Sequence, residues 1–418
     1  MTGALFLWYN IYKESEKEGK LMANVKNYMV GNAQKTIDQI YEFAASPAYC
    51  DSKIRIMPDA HAGKGAVVGS TMTYSDKIVP GTVGVDIACR VSAFRVDADN
   101  VDCDYLDKVC REYIPTGFSV RSVEHELSRD FPYEELYCWE QLSNHDRLRK
   151  SMGTLGGGNH YLELDYDKDS GFYWFVIHCG SRNLGKQIAE YYQQIAIEAR
   201  DARIKSYRES KIKELRYLST IQDYGFQEVV QYWNDKIRLE PSNDLCYLEG
   251  EDMEHYLHDM RICNDFSYYS HLAIYREVAK MMGWAFDPFK ISCIHNYVDV
   301  EHGIIRKGAI EGYRGQIGII PLNMRDGVLF VRALGNEDWN CSLPHGAGRV
   351  MSRGEARKNL RLEDFEMAMK GISSSSVATE TIDEAPMAYK DAEAIIEAIA
   401  PNAQIIAHMY PVWNFKAK

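Results

Sequence analysis

Three features that would assign a protein class directly are missing from this sequence. Basic residues are not in excess, since 48 lysines and arginines stand against 60 aspartates and glutamates and give a formal net charge of -12. That balance argues against a surface built for bulk nucleic-acid binding, although a local basic pocket is compatible with it. No apolar run reaches the ~20 residues that span a bilayer, so we expect no membrane association. Linkers rich in proline and serine, low-complexity tracts and internal repeats are also missing.

Cysteine is present but forms no recognisable framework. The ten cysteines are scattered along 418 residues without a CxxC pair, which is typical of reduced thiols in a cytosolic protein. We therefore expect a cytoplasmic protein in which any special cysteine is a metal ligand or a nucleophile. The apolar segment 4–9 is short and leads into the charged segment 13–18, unlike an export signal. Because Met22 stands where a shorter chain could begin, we interpret 1–21 as a candidate N-terminal extension and 22–418 as the main domain.

The chain alternates between helical patterns and short β-prone runs punctuated by glycine. Apolar spacing predicts a helix over 34–46, which Pro47 would end. Strands are predicted at 54–56, 66–68, 91–96, 172–178, 291–297 and 328–334. The segment 186–283 has very few glycines and predicts several long helices, with 204–218 as a solvated one. Together these patterns indicate a single large α+β unit with a helical insertion at about 186–283.

Four short segments combine glycines with side chains that bind metals or phosphates. They are 57–65 with 83–90, 153–163, 177–185, and a C-terminal group made of 293–297, 306–309 and 344–353. Asp86 and Cys89 are three residues apart, so a tight turn could point a carboxylate and a thiolate into one site. Glycine-rich loops of this kind let backbone N–H groups approach phosphate oxygens.

The residue types in these segments suit metal-assisted phosphoryl or nucleotidyl transfer. One aspartate, one cysteine and three histidines match a borderline divalent ion such as Mn²⁺, Zn²⁺ or Fe²⁺, and a bridging thiolate could serve two ions. Two ions a few ångströms apart would hold the attacking and leaving oxygens of a phosphoryl transfer. Four cationic side chains could neutralise phosphate charge: Arg182, Lys307, Arg349 and Arg353.

Each of these residues also has a structural interpretation when taken alone. His178 or His295 at a strand end could be a hydrogen-bonded core histidine, and Cys89 could be a small buried apolar residue. The glycines at 156–158 could form a flexible turn, and Asp59 could cap a loop. Spacing alone leaves the two-metal site and these alternatives open.

Taken together and in this order, the segments resemble the RtcB family of RNA-splicing ligases, from about Met22 to Lys416 and including 383–390. The resemblance implies a single RtcB-like unit with a mixed β-sheet core around a metal-containing cleft. It also implies an enzyme that joins RNA ends bearing a 2′,3′-cyclic phosphate or 3′-phosphate to a 5′-hydroxyl, in tRNA splicing or RNA repair. GTP and two Mn²⁺ ions would be its cofactors, and a guanylylated histidine its intermediate.

Carried over residue by residue, the resemblance implies a role for each candidate. The metal ligands would be Cys89 as the thiolate shared by two ions, Asp86 and His160 at one ion, and His178 and His295 at the other. His345 would be the histidine that takes GMP. The nucleotide-binding residues would be Asn159, Glu163, Asn323, His345, Gly346, Ala347, Gly348, Tyr389 and Lys416. Arg182, Lys307, Arg349 and Arg353 would contact the phosphates of GTP or of the RNA end.

The chain also departs from the family pattern around these residues. Ala88 and Arg90 flank Cys89 where many members have glycine, and 322–325 reads Leu-Asn-Met-Arg where Gly-Ser-Met-Gly is usual. Two other functions therefore stay open: a metal-dependent phosphodiesterase that opens cyclic phosphates without ligation, and a non-catalytic protein that binds RNA ends. We expect a monomer whose partners are RNA with a 3′-phosphate or cyclic phosphate and a 5′-hydroxyl, and an activating protein.

Overall fold

The computed structural model describes residues 24–218 and 240–417. The candidate extension 1–21 and part of the predicted helical insertion lie outside these residues. The α-helices of the described part, numbered in chain order, are α1 Gln34–Ala44, α2 Pro80–Val83, α3 Cys103–Tyr113, α4 Glu126–Arg129, α5 His145–Arg149, α6 Arg182–Leu218, α7 Gly250–Met282, α8 Arg353–Asn359, α9 Leu362–Ala368 and α10 Ala392–Ile399.

The β-strands of the same residues form two large sheets and one small pair. They are β1 Asn24–Asn27, β2 Lys53–His61, β3 Val68–Thr73, β4 Arg90–Val96, β5 Tyr161–Tyr166, β6 Tyr173–Cys179, β7 Lys290–Ile294, β8 Asn296–Asp299, β9 Ile304–Lys307, β10 Ala309–Glu311, β11 Ile317–Asn323, β12 Gly327–Ala333, β13 Ser342–Pro344 and β14 Ala403–Lys416. One sheet has the order β1-β2-β3-β9-β8, the other β11-β12-β14-β5-β6-β4-β7, and β10 pairs with β13.

The seven-stranded sheet curls until its first and last strands, β11 and β7, lie against each other, so it is nearly a barrel. Side chains alternate between its two faces because a strand has a period of two. Leu162 and Leu164 of β5 pack outward with Ile274 and Tyr275 of α7. Tyr161, on the other face, belongs to an apolar cluster inside the curl. All strand pairs of this sheet are antiparallel, whereas the five-stranded sheet is mixed because β1 pairs with β2 in parallel. Helices packed outside such sheets confirm the predicted α+β class.

Two long helices confirm the helical character predicted for 186–283 within the described residues. α7 is buried along much of its length, whereas the part of α6 from 204 to 213 is mostly exposed, as the charge pattern predicts. α7 ends where Gly283 adopts φ +72° and its N–H bonds the carbonyl of Ala279. A left-handed residue at this place is the usual glycine stop of a helix.

The predicted strand positions are right in most places and wrong in two. β4, β6 and β12 lie within one residue of their predicted bounds, and the predicted strand 54–56 lies inside β2. Ala66 and Val67 are buried but belong to no strand, because β3 starts only at Val68. The predicted strand 291–297 is two strands, β7 and β8, which belong to different sheets. His295 lies at the break, where its N–H bonds the carbonyl of Cys89. The periodicity could not show this change of sheet, because both strands are equally β-prone.

None of the described helices is both long enough and apolar enough to cross a membrane. The ten cysteines all lie in the described residues and all are free. The chain therefore has no disulfide framework, as the scattered spacing predicted.

Candidate active site

Four strands of the seven-stranded sheet bring metal-ligand side chains to one end of that sheet. The first residue of β4 pairs with the last residue of β6 and with the last residue of β7. Cys89, just before β4, therefore lies beside His178 and His295. The first residue of β5 pairs with His178, which brings His160, just before β5, to the same place. Asp86 joins them through a tight turn in which the N–H of Cys89 bonds the carbonyl of Asp86 at 3.2 Å.

These five side chains form two groups that share Cys89. Asp86, Cys89 and His160 form one, and Cys89, His178 and His295 form the other; within each group all ligand atoms lie within 4.8 Å of one another. The Cys89 Sγ is 3.3 Å from the Nε2 of His178 and 3.6 Å from the Nε2 of His160. The Nε2 of His160 is 3.0 Å from Asp86 Oδ2, and the two Nε2 atoms of His178 and His295 are 3.4 Å apart. Such convergence of a thiol, a carboxylate and imidazoles fits a pair of divalent ions.

The protonation states of this cluster also suit metal binding. Burial holds the pKa of both His178 and His295 well below the usual value, so their rings are neutral and can act as ligands. Burial raises the pKa of Asp86, but the hydrogen bond and charge of His160 and the hydrogen bond to Cys89 outweigh it and bring that pKa to about 2. Burial and the neighbouring Asp86 raise the pKa of the Cys89 thiol well above normal. A bound cation would therefore displace a proton from Cys89.

Gly180 allows the Asp86 carboxylate to reach this cluster. A Cβ at position 180 would lie 2.0 Å from Asp86 Oδ1, too close for any real side chain. We expect Gly180→Ala to push the carboxylate away and to weaken binding of the ion at Asp86 by at least about tenfold. Isothermal titration with Mn²⁺ measures this. The control is Gly354→Ala, where a Cβ meets nothing within 4 Å; equal affinity in the two variants would contradict the placement of Asp86.

His345 lies next to the cluster and is held by a buried aspartate. It follows β13, and its Nδ1 is 2.7 Å from Oδ2 of Asp59, a fully buried residue of β2. Its ring centre is 5.0 Å from that of His295. Because the Asp59 carboxylate accepts a hydrogen bond from Nδ1–H, Nε2 keeps its lone pair and is available as a nucleophile. Gly348, at φ +75°, permits the close approach, since a Cβ there would lie 2.0 Å from the carbonyl oxygen of Asp59.

Most of the predicted site residues line a single cavity of about 1010 Å³. This volume is at the upper end of the range for small-molecule sites. The predicted residues in its lining are Asp86, Cys89, Asn159, Glu163, His178, His295, Lys307, Asn323, His345, Gly346, Ala347, Gly348, Arg349, Arg353, Tyr389 and Lys416. His160 and Arg182 are outside that lining. The Nη1 of Arg182 is 3.0 Å from the Nδ1 of His160, so this arginine stands behind a metal-type ligand.

Glu384 gathers several of these side chains at one wall of the cavity. Its buried carboxylate accepts hydrogen bonds from Tyr389 and Lys416, both at 2.7 Å, and from Arg353 at 2.5 Å. Arg349 lies 3.3 Å from the same group. Burial raises the pKa of Glu384, but the charges of Lys416 and Arg353 and the hydrogen bonds from Lys416 and Tyr389 bring it to about 2. The carboxylate therefore stays ionised and fixes the directions of its four partners.

Two further predicted residues of the lining, Lys307 and Asn323, are also hydrogen-bonded within the protein. Burial lowers the pKa of Lys307 to about 7, and its ammonium donates to the carbonyls of Lys64 and Gly81. The amide nitrogen of Asn323 bonds Asp326 at 2.7 Å. A phosphate in the cavity would give Lys307 an anionic partner in addition to these two carbonyls.

Sequence reasoning missed two residues that organise this site. The sequence allowed Asp59 to be interpreted as a loop cap. That interpretation is wrong, because Asp59 lies within β2 and its carboxylate orients His345. Glu384 stood in the segment 383–390 without a role. A charged residue in a strand that is otherwise buried was the available signal for Asp59. No sequence signal pointed to the partners of Glu384.

Comparison with known proteins finds the same family that the sequence motifs resemble. The sequence model of the family described as "tRNA-splicing ligase RtcB" matches residues 39–417. The chain is 30% identical to the RNA-splicing ligase RtcB of Escherichia coli over 380 residues, covering 84% of this chain and 87% of that protein. It is 25% identical to the tRNA-splicing ligase RtcB of Archaeoglobus fulgidus, covering 85% and 86%. It is also 26% identical to an RNA-splicing ligase RtcB homolog of Entamoeba histolytica, covering 82% and 76%.

Proposed function

The chain belongs to the RtcB family of RNA-splicing ligases, and on that basis we propose that it is a GTP- and Mn²⁺-dependent RNA ligase. It joins a 2′,3′-cyclic phosphate or 3′-phosphate end to a 5′-hydroxyl end, in tRNA splicing or RNA repair. One observation carries the proposal: a histidine with an engaged Nδ1 lies beside two ligand groups that share a thiol, and this thiol and the histidine line the same cavity. The enzyme would act in the cytoplasm as a monomer, with RNA and an activating protein as partners.

The chemistry we propose begins at His345. Its Nε2 lone pair attacks the α-phosphorus of GTP, the bond to the pyrophosphate oxygen breaks, and pyrophosphate leaves. The positive charge that develops on the ring is stabilised by the Asp59 carboxylate at Nδ1. The product is a phosphoramidate between His345 and GMP.

Three further displacements complete ligation at an end that carries a cyclic phosphate. Water first opens a cyclic phosphate to a 3′-phosphate, and an oxygen of that phosphate then attacks the phosphorus on His345, so the N–P bond breaks. The 5′-hydroxyl finally attacks the capped 3′-phosphate, and GMP leaves. Capping makes the 3′-phosphate a competent electrophile, which explains the use of a nucleotide.

The metal ligands in this proposal are the two groups that share Cys89, namely Asp86, Cys89 and His160, and Cys89, His178 and His295. The donor chemistry fits, because the three rings are buried and the carboxylate is ionised. Two bound Mn²⁺ ions would supply Lewis-acid stabilisation of the phosphate charge. Lys307, Arg349 and Arg353 would hold phosphates, and Arg182 would act through His160.

The nucleotide would occupy the part of the cavity lined by the remaining predicted residues. These are Asn159, Glu163, Asn323, Gly346, Ala347, Gly348, Tyr389 and Lys416. Glu384 would keep Tyr389 and Lys416 in place through its hydrogen bonds.

A ligation assay tests the proposal. A radiolabelled RNA with cyclic phosphate and 5′-hydroxyl ends is incubated with the protein, GTP and Mn²⁺, and the products are separated on a gel. Joined RNA that needs both GTP and Mn²⁺ supports the proposal. Opening of the cyclic phosphate without joining would support the phosphodiesterase alternative, and binding without any product would support the RNA-end-binding alternative.

Asp59→Asn is expected to slow guanylylation of His345 by at least about 100-fold, because the amide cannot stabilise a charged ring. Single-turnover measurement of GMP transfer to the protein checks this, with metal content unchanged. Asp51→Asn, an exposed change just before the same strand, is the control. Equal guanylylation rates in the two variants would show that Asp59 does not orient the nucleophile.

A further inference from the structure

A second acidic residue lies behind Glu163, inside the curled sheet. Glu163 lines the cavity, and Asp165 follows two residues later on β5, so both side chains point to the same face. Asp165 is fully buried and Glu163 is 3% exposed. The apolar cluster on this face includes Trp174 and Phe330. A carboxyl group in such surroundings needs a partner.

The partner of the Asp165 carboxyl is not an ordinary hydrogen-bond donor. Among the described residues, no N–H or O–H group donates to either oxygen of Asp165. The Asp165 carboxyl is nevertheless within hydrogen-bonding reach of Glu163. Ionised carboxylates only accept hydrogen bonds, so this contact becomes a hydrogen bond when one of the two carries a proton.

The charged groups that face Glu163 and Asp165 also favour a state in which the pair retains one proton. The cation that acts on Glu163 is Lys416 of β14, and its ammonium is already paired with Glu384 at 2.7 Å. The other titratable group that faces them is the hydroxyl of Tyr161, which has no hydrogen-bond partner among the described residues. Two ionised carboxylates would therefore leave uncompensated negative charge in a buried site. Burial raises the pKa of Asp165 to about 8, and burial and the charge of Asp165 raise the pKa of Glu163 well above normal.

We propose that Glu163 and Asp165 form a carboxyl pair that shares one proton, and that this proton lets the cavity accept an adenine edge as well as a guanine edge. The inference rests on the proposed function, which places a purine nucleotide against Glu163. It identifies Asp165 as a positioning residue that determines base selectivity.

The position of the proton decides which base is bound. With the proton on Asp165, Glu163 is a carboxylate that accepts from N1–H and N2–H of guanine. With the proton on Glu163, the same group donates to N1 of adenine and accepts from its N6–H. Burial raises the pKa of both carboxyls, to about 8 for Asp165 and well above its usual range for Glu163, so the pair keeps the shared proton at neutral pH and loses it only in alkaline solution. Adenine use should therefore fall as the pH rises, whereas guanine use should not depend on the proton.

The nucleotide test compares adduct formation on His345 with GTP and with ATP, at pH 6.5 and at pH 9. In the unaltered protein we expect the preference for GTP to increase with pH. Asp165→Asn offers an amide N–H to Glu163 and keeps it ionised, so at pH 6.5 its preference for GTP should be higher by about tenfold or more. Asp169→Asn, an exposed change in the turn after β5, is the control. An unchanged ratio in Asp165→Asn overturns the proposed base selection.

An infrared titration of the protein without nucleotide tests the shared proton by itself. The carbonyl stretch of a protonated carboxylic acid should be present at pH 6.5, weaken as the pH is raised into the alkaline range and be missing in Asp165→Asn. A protein without this band would overturn the carboxyl pair, whatever nucleotide is used. If the band behaves as expected but no adduct forms with either nucleotide, the proposed function and the base selection fail while the pair stands.

Discussion

Replacing His345 by alanine should abolish the covalent GMP adduct and RNA joining together, with a loss of roughly 10³-fold or more. The reason is geometric. His345 combines an Nδ1 fixed by Asp59 with a place in the cavity 5.0 Å from the ring centre of His295. Mass spectrometry after incubation with GTP and Mn²⁺ should show a gain of one guanylyl group in the unaltered protein and none in His345→Ala.

The control for this experiment is His302→Ala, because His302 is an exposed histidine in the turn between β8 and β9, where it pairs with Asp299. That variant should form the adduct at the normal rate. Adduct that persists in His345→Ala would place the nucleophile elsewhere. Metal-dependent opening of a cyclic phosphate that survives in His345→Ala, in a protein that never forms an adduct, would favour the phosphodiesterase alternative.

Replacing Cys89 by alanine should remove both metal ions, whereas replacing Asp86 should remove one. Cys89 is the ligand common to the two groups, and each group keeps only two other members. Two ligands hold a divalent ion much more weakly than three in this kind of site. Metal analysis after dialysis against Mn²⁺ should therefore give close to two ions per chain in the unaltered protein, about one in Asp86→Ala and none in Cys89→Ala.

The matched control is Cys50→Ser, since Cys50 is the exposed cysteine of the chain's ten. It should keep two ions. The fold should survive in Cys89→Ala, because loss of one small buried side chain costs on the order of 1 kcal/mol. Retention of both ions in Cys89→Ala would show that the thiol does not bridge them.

The sequence identified the segments that meet at the candidate site better than it identified their mutual geometry. Motif order led to Cys89 and His345, because glycine and ligand-type residues are concentrated there in a family pattern. It could not lead to the pairing of Asp59 with His345, which joins residues 286 positions apart. Local patterns carry no information about such a contact, because the packing of β13 on β2 produces it.

Local sequence patterns were also insufficient to predict where the side chain of Arg182 lies. Its charge and its glycine-rich surroundings predicted a phosphate contact, yet the side chain lies behind His160 and outside the cavity lining. Arg182 has φ +58° at the start of α6, and its guanidinium occupies the space that a Cβ on Gly156 would need. The charge of Arg182 in the motif predicted a polar role, but the backbone conformation at this position directs its guanidinium to His160.

The position of β14 has a consequence for how the protein is made. This strand, near residue 416, lies between β12 and β5 in the middle of its sheet. A ribosome releases β5 and β6 long before β14 emerges, so the nascent chain carries an open β5 edge during most of translation. Open strand edges are templates for aggregation. The seven-stranded sheet, and with it the cavity wall that contains Lys416, can therefore be completed only after β14 has been synthesised.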